Sequence, residues 1–291
     1  MQEFKVKKSD EGVRADIFVA SKFPDYARSA LKGLFKHQNV HINGQVAKAG
    51  YKLKQGDRIT VDASLLHAEV EDIELPIIYE DDDVMVIDKP AGLLTHSKGA
   101  LNLEPTVASF LKKRLNDESL TGNRAGIIHR LDRATSGLII GAKNSKALAY
   151  WQKQFSTRKV KKTYVAIVEG VPKPSAAIID APIARNPKKP QTFHVNPLGK
   201  PAQTQYRLIQ SINKAGKKFS LLELEPLTGR THQLRVHLAY IGHPIIGDAV
   251  YGHSDTAMLL HAQKLELTFP GGELKSFSMQ SPKVFRDFIE S

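Results

Sequence analysis

The sequence predicts an α+β fold in two units. Strand patterns predominate along the 291 residues, without the regular strand–helix alternation of a doubly wound sheet. Net charge is +5 over residues 1–65, −8 over residues 66–83 and +15 over residues 84–291. We therefore expect a small α/β domain at 1–65, an acidic linker at 66–83 and a larger domain at 84–291, which is long enough to bury a core.

The first unit combines one amphipathic helix with short strands. The segment 27–36 has apolar residues at helical spacing and a basic opposite face. Strand patterns follow at 40–42 and 56–61, and Asn43–Gly44 is a hairpin-turn pair. Because the chain carries two basic units, we expect it to bind RNA. The candidate RNA contacts in this unit are Arg28, Ser29, Lys32, Lys36 and Asn43.

The second unit has strand patterns with few helices between them. Helices are predicted at 104–115 and 145–155. The predicted strands are 84–87, 126–128, 138–140, 164–168, 204–209 and 219–224.

The segment 129–137 places one carboxylate between two guanidiniums in a predicted turn. Asp132 lies between Arg130 and Arg133, and Thr, Ser and Gly follow it. Neighbouring positive charges favour the ionised carboxylate, which suits a nucleophile better than a general acid. Arg-Leu-Asp alone favours the alternative, a structural ion pair that braces a turn.

The segment 227–242 has the spacing of a helix. Apolar residues at i, i+4 and i+7 predict a buried stripe over 234–241. Thr228 or Thr231 is the expected N-cap, and Gly242 the expected C-terminal stop.

Polar residues of the same segment fall on another face of this helix. Arg230, Gln233 and His237 could line a polar cleft near the start of the helix. A solvated helix face is the alternative.

These two segments together resemble the signature motifs of the RluA-type pseudouridine synthases. The first reads His-Arg-Leu-Asp-x-x-Thr-Ser-Gly, and the second reads Thr-Gly-Arg-x-His-Gln-Leu-Arg-x-His. Two weaker motifs fall in the family's order, Lys-Pro-x-Gly within 87–96 and a strand at 162–170. The resemblance implies a mixed, largely antiparallel sheet of the pseudouridine synthase type.

The resemblance also implies roles for individual residues. It makes Asp132 the nucleophile, Arg230 its ion-pair partner and Tyr164 the ring that stacks on the target base. The substrate-binding residues that it implies are Lys89, His129, Arg130, Arg133, Gln233, Arg235 and His237.

Residues 12–62 resemble the small RNA-binding module named after ribosomal protein S4. Their helix, Asn-Gly turn and Gly-Asp strand follow the order of that module.

The expected activity is therefore the isomerisation of uridine to pseudouridine in structured RNA. Large-subunit ribosomal RNA is the expected substrate, and transfer RNA is the alternative. The reaction has no net redox change, so no cofactor is expected. With no cysteine and no His-Glu-x-x-His helix, no metal site is expected either. We expect a cytoplasmic monomer without a membrane segment.

Two other classes of protein fit the sequence less well. A purely RNA-binding function would explain the basic charge but not the motifs at 129–137 and 227–242. A glycoside-cleaving or base-deaminating RNA enzyme would need a second carboxylate motif or a Cys-containing zinc site, and neither motif is present in the sequence.

Overall fold

The computed structural model describes residues 1–24, 26, 28–66, 70–97, 104–254 and 256–290, and the side chain of Ser29 lies outside this description. The first compact unit comprises Met1–Ile73, His96–Lys113 and Thr121–Ala125. The second comprises Glu74–Thr95, Arg114–Leu120 and Gly126–Ser291. None of the helices in the described ranges is long and apolar enough to cross a membrane.

In the described residues, the first unit has a four-stranded antiparallel sheet with helices. Its elements are β1 (Gln2–Lys5), α1 (Ala15–Lys22), α2 (Arg28–Lys36), β2 (Val40–Ile42), β3 (Gln45–Val46), β4 (Arg58–Val61) and α3 (Val107–Lys112), with short 3-10 helices at Lys8–Asp10 and Ser64–Leu66. The strands lie in the order β1-β4-β2-β3.

The core and the turn of this unit follow from its sequence pattern. Leu31 and Leu34 of α2 are fully buried together with Val19 of α1. Asn43 and Gly44 both have left-handed backbones, with φ of 51° and 81°, as a two-residue hairpin turn requires. The predicted helix, turn and strands of this unit are confirmed.

The second unit contains the large sheet. Its elements are β5 (Ile77–Glu80), β6 (Val84–Lys89), β7 (Ser136–Ala142), α4 (Ser145–Ser156), β8 (Lys161–Glu169), β9 (Ala176–Asp180), β10 (Ile183–Arg185), β11 (Phe193–Val195), β12 (Gln203–Lys214), β13 (Lys217–Pro226), α5 (Gln233–Tyr240), β14 (Leu260–Thr268), β15 (Leu274–Ser278) and α6 (Lys283–Glu290).

The large sheet is mixed and mostly antiparallel, as predicted. Its strand order is β5-β6-β7-β14-β8-β13-β12-β9, and β15 also pairs with β14. The pair β14 and β7 is parallel, while the other neighbouring pairs of the sheet are antiparallel. Strands β10 and β11 form a separate hairpin.

Helix α4 covers part of this sheet. The side chain of Asn144 caps its first turn by accepting the N–H of Ala147 at 2.8 Å. Trp151 on α4 is buried in one cluster with Leu138 and Ile140 of β7. Strand β7 is therefore fixed on its helix side by close packing.

Two predicted segments differ from the structure in kind. The predicted strand 126–128 is reduced to one bridge between Ile127 and Gly141. A side chain at Gly126 would lie 2.5 Å from the carbonyl oxygen of Ala142, so the chain passes β7 closely at this one point without pairing along it. The predicted linker 66–83 contains β5, which pairs with β6.

The division into units also differs from the predicted domains. Residues 96–113 and 121–125 group with the first unit, although they lie within the predicted larger domain 84–291. The domains were predicted from the charge along the chain, and that charge does not indicate which distant segments pack together.

Candidate active site

Asp132 lies in a tight turn that three contacts hold in place. The Thr95 hydroxyl donates to the carbonyl of Leu131 at 2.8 Å and accepts the N–H of the same residue at 3.2 Å. The N–H of Thr135 closes the turn on the carbonyl of Asp132 at 3.1 Å. Gly137 has φ of 111°, and a side chain there would lie 2.3 Å from the carbonyl oxygen of Ala262. The turn therefore requires glycine where it joins β7.

Lys89 stabilises the same turn from β6. Its side chain is fully buried, and its Nζ donates to the carbonyls of Pro90 and Leu93 at 2.8 Å and of Arg133 at 3.3 Å. Burial lowers the pKa of this ammonium to about 8, although the charge of Asp132 opposes the shift. The prediction that Lys89 binds substrate is wrong, because its donors are used by the backbone around Asp132.

Arg235 is the ion-pair partner of Asp132, which corrects the prediction for Arg230. The Nη1 of Arg235 lies 3.4 Å from Oδ2 of Asp132. Its Nε and Nη2 donate to the two carboxylate oxygens of Asp248 at 2.7 and 2.6 Å. The guanidinium is buried and lies over the ring of Tyr251, 5.1 Å from the ring centre. One arginine thus connects a buried carboxylate to the carboxylate at the cleft.

Arg230 lies in the loop before α5. Its Nε donates to the carbonyl of Pro201 at 3.0 Å, and its N–H donates to Oε1 of Gln233 at 2.9 Å. Gln233 also accepts from the hydroxyl of Thr228 and donates to the carbonyl of Gln203. Gln233 is therefore a buried residue that organises the loop, and Arg230 lines the cleft without pairing with Asp132.

The start of α5 explains this error. The N-cap is His232 in a left-handed conformation, and neither Thr228 nor Thr231 occupies that position. Arg235 consequently lies in the first turn of the helix. The predicted C-terminal stop is confirmed, since Gly242 has φ of 81° and the N–H of His243 bonds to the carbonyl of Leu238.

Tyr164 lies on β8 and lines the same cleft as Asp132. Burial raises the pKa of its phenol, and the negative charge of Asp132 adds to the effect. The hydroxyl therefore stays protonated, and the ring offers an apolar face beside the carboxylate.

The cleft has a volume of about 920 Å³ and a strongly basic lining. Asp132 and Glu225 contribute negative charge to it. The basic residues that line it are Arg130, Arg158, Lys159, Lys161, Lys162 and Arg230. Such a cleft attracts a polyanion and brings it to the carboxylate of Asp132.

Two predicted substrate-binding histidines have structural contacts. His129 accepts the N–H of Ile140 through Nε2 at 3.1 Å and stacks on Phe155, and burial lowers its pKa to about 3. His237 is fully buried, with its ring nitrogens bound to the Thr204 hydroxyl and the Ala181 carbonyl at 2.9 Å. His129 still lines the cleft, whereas the prediction that His237 binds substrate is wrong.

Three further residues of the site were missed by the sequence analysis. Asp248 and Tyr251 lie in a loop for which no motif was recognised, and His232 lies inside a motif without being assigned a role. Nε2 of His232 is 3.8 Å from Oδ2 of Asp132. The signal that could have indicated His232 is its fixed position in the motif Thr-Gly-Arg-x-His-Gln.

The basic face of α2 in the first unit is organised by a buried carboxylate. Asp16 accepts from Arg14 at 3.0 Å and from Arg28 at 2.9 Å, and Nζ of Lys32 lies 3.9 Å away. Burial opposes ionisation of Asp16, but the two arginine hydrogen bonds outweigh it and lower the pKa of the carboxyl.

The other predicted RNA contacts of this unit differ in availability. Lys36 is exposed at the end of α2. The amide of Asn43 donates to Asp57 and accepts the N–H of Arg58, both at 2.9 Å, so it serves the hairpin. The side chain of Ser29 lies outside the described residues.

Comparison with known proteins identifies the class of enzyme. Residues 83–240 match the RNA pseudouridylate synthase family, and residues 13–59 match the S4 domain. The chain belongs to the RNA pseudouridylate synthase family. It is an isomerase with an N-terminal S4 domain.

Individual relatives cover most of the chain. An uncharacterised RNA pseudouridine synthase of Aquifex aeolicus is 37% identical over 98% of this chain and 94% of the relative. The ribosomal large subunit pseudouridine synthase D of Salmonella typhimurium is 39% identical over 85% of this chain and 75% of its own. The structure of human RNA Pseudouridylate Synthase Domain Containing 4 superimposes with a TM-score of 0.57 and 28% identity, covering 72% of this chain and 90% of the human one.

Proposed function

We propose that this protein converts uridine to pseudouridine in large-subunit ribosomal RNA, with Asp132 as the nucleophile and without a cofactor. The observation that carries the proposal is the carboxylate of Asp132, held by Arg235, in a cleft lined by six basic side chains. The choice of RNA is supported by the relatives that are named ribosomal large subunit pseudouridine synthase D.

The chemistry requires little beyond an anion and a dry, rigid pocket. The N1–C1′ bond of uridine breaks, the uracil turns, and C5 bonds to C1′. A proton leaves C5, and N1 ends with a proton, so no oxidant or water is consumed. An ionised Asp132 supplies the nucleophile, while the fixed turn keeps it oriented during the time that the base is detached.

The surrounding residues hold the target nucleotide. The ring of Tyr164 stacks on the flipped base, and Arg130 and Arg230 contact phosphates at the cleft. Extruding a nucleotide from its stack costs a few kcal/mol. Phosphate contacts along the basic lining offset that cost.

The two parts of the chain divide the work. The first unit contributes an RNA-binding surface, and the second unit, which contains Asp132 and the large sheet, carries out catalysis. The protein acts as a monomer in the cytoplasm, where it binds ribosomal RNA. Arg28, Lys32 and Lys36 of α2 are the phosphate contacts of the first part.

Pseudouridine mapping tests this function. Total RNA is compared between cells with and without the protein by carbodiimide labelling and reverse transcription. We expect one or a few sites in large-subunit ribosomal RNA to disappear and to return on complementation. Loss of sites in transfer RNA alone would contradict the choice of RNA, and an unchanged map would contradict the function.

A further inference from the structure

His232 has a backbone conformation that its position before a helix does not require. Its φ and ψ are 57° and 19°, a left-handed conformation that is uncommon for residues other than glycine. N-cap residues normally have an extended backbone and accept a helix N–H through the side chain, and His232 makes no such bond. Strained residues of this kind cluster at active sites, so the position of the side chain needs another explanation.

The side chain of His232 is fixed by a hydrogen-bond relay. The hydroxyl of Tyr251 accepts the backbone N–H of Phe193 at 2.9 Å and lies 2.8 Å from Nδ1 of His232. The ring of Phe193 also packs edge-on against the imidazole. This arrangement fits a hydroxyl that donates to Nδ1, which leaves the proton of the neutral imidazole on Nε2.

The charges around His232 are balanced, and the imidazole is neutral. Burial lowers the pKa of His232, and Asp132 and Asp248 oppose the shift while Arg235 and Arg130 reinforce it. A neutral imidazole offers one N–H donor through Nε2 and adds no charge. It therefore does not neutralise the carboxylate beside it.

Both neighbours of Asp132 approach the same carboxylate oxygen. Nη1 of Arg235 lies 3.4 Å from Oδ2, and Nε2 of His232 lies 3.8 Å from it. Catalytic hydrogen bonds of this length often shorten when substrate binds. Because both donors face Oδ2, Oδ1 is the oxygen that can be directed to the substrate.

We infer that His232 is a positioning residue that, together with Arg235, holds Oδ2 of Asp132 so that Oδ1 reacts, with its tautomer set by Tyr251. The inference rests on the proposed function, because it takes Asp132 as the reacting group. It assigns to His232, the residue immediately before α5, a role in orienting the nucleophile.

The test compares two substitutions of His232. His232→Phe keeps a ring against Phe193 and removes the donor, whereas His232→Gln can place an amide N–H near the position of Nε2. Tritium release is measured from in vitro transcribed large-subunit ribosomal RNA labelled at uridine C5, from pH 5 to pH 9. His232→Phe should lower kcat about 10- to 100-fold at unchanged KM, since a small misplacement of a reacting group has that cost.

The pH profile distinguishes positioning from a general structural role. A carboxylate that loses a hydrogen-bond donor takes up a proton more readily. The acidic limb of kcat should therefore move to higher pH in His232→Phe and return toward wild type in His232→Gln. Tyr251→Phe should shift it in the same direction and add nothing in the His232→Phe background. His253→Phe, at an exposed histidine that pairs with Glu169, is the matched control.

Each outcome decides one point. A wild-type kcat and pH profile in His232→Phe would overturn the inference, as would a raised KM at unchanged kcat, which would make His232 an RNA contact. Inactivity of the wild type on ribosomal and transfer RNA transcripts would instead count against the proposed function. If His232→Phe does not fold, Tyr251→Phe alone supplies the test, and an unshifted profile there overturns the inference.

Discussion

The Asp16 cluster of the first unit and the Asp132 site of the second both pair a carboxylate with arginine, and they differ in which partner faces solvent. The side chain of Asp16 is 1% exposed, while those of its partners Arg14 and Arg28 are 48% and 51% exposed. At the other site the side chain of Asp132 is 16% exposed, and that of Arg235 only 7%. The first cluster therefore presents cations, and the second presents a carboxylate.

This difference shows how one type of ion pair serves two purposes. The buried carboxylate of Asp16 bonds Arg14 and Arg28, so these arginines stay ordered at the surface that would meet phosphates. At the cleft the second carboxylate, Asp248, is fully buried and bonds two nitrogens of Arg235. The arginine is thereby fixed from behind, and Asp132 remains available to substrate.

The largest effect is expected from removing Arg235, the buried arginine of the second site. Arg235→Met should reduce kcat by about 10²- to 10³-fold. It should also lower the free energy of unfolding by about 3–5 kcal/mol, because Asp248 is left buried and unpaired. Arg235→Lys should be intermediate, since lysine lacks the planar fork. Steady-state kinetics and urea denaturation measure both effects.

Arg230→Met is the matched control for this prediction. Its guanidinium bonds to a backbone carbonyl at the cleft, so its removal should affect KM more than kcat. If Arg230→Met lowers kcat more than Arg235→Met does, the assignment of the ion pair is contradicted.

A second prediction uses pH to separate the two clusters. The pKa of Lys89 is lowered to about 8, so its ammonium should lose its proton above that pH and kcat should fall. RNA affinity should persist, because Arg14 and Arg28 stay charged. In the unfolded chain Lys89 has its ordinary pKa of 10.5, so between pH 8 and 10.5 the unfolded chain holds a proton on Lys89 that the folded protein has lost. The contribution of Lys89 to the free energy of unfolding therefore rises with pH over this range, and unfolding does not explain the fall in kcat.

The pH dependence of kcat from pH 7 to pH 9 measures this effect. Lys89→Met should have a low kcat without that alkaline limb, because no ammonium remains to titrate. A wild-type kcat that is flat over this range would contradict the role of Lys89.

The smallest effect is expected at the exposed cations of the first unit. Arg28→Gln should raise KM severalfold and leave kcat unchanged. Each lost phosphate contact makes the negative slope of log K against log salt shallower by about 0.7–0.9. Arg207→Gln, at an exposed arginine of β12 that pairs with Glu223, should leave the slope unchanged. A fall in kcat in Arg28→Gln would show that the cation cluster takes part in catalysis.

The sequence predicts features that depend on short stretches of chain. The Asn43–Gly44 turn and the helix stop at Gly242 follow from local backbone chemistry, and the structure confirms both. Asp132 can be identified because the residues of its motif, His-Arg-Leu-Asp-x-x-Thr-Ser-Gly, are adjacent in sequence and resemble those of the family.

The ion-pair partner was mispredicted because it depends on long-range contacts. Whether Arg230 or Arg235 faces Asp132 is decided by where α5 begins, and that is set by the bonds of Gln233 to Thr228 and Gln203. Lys89 reaches Arg133 across 44 residues of chain. Neither relation has a spacing that a sequence pattern could reveal.

The most direct measurement of the central claim is tritium release by Asp132→Asn. The change keeps the shape of the side chain and removes the negative charge that the Asp132 site presents to the cleft. We predict that turnover is abolished while RNA affinity stays within a few-fold, and that Asp82→Asn, at an exposed aspartate, behaves like wild type. Turnover by Asp132→Asn at a rate near that of the wild type would contradict the claim that this carboxylate is the nucleophile.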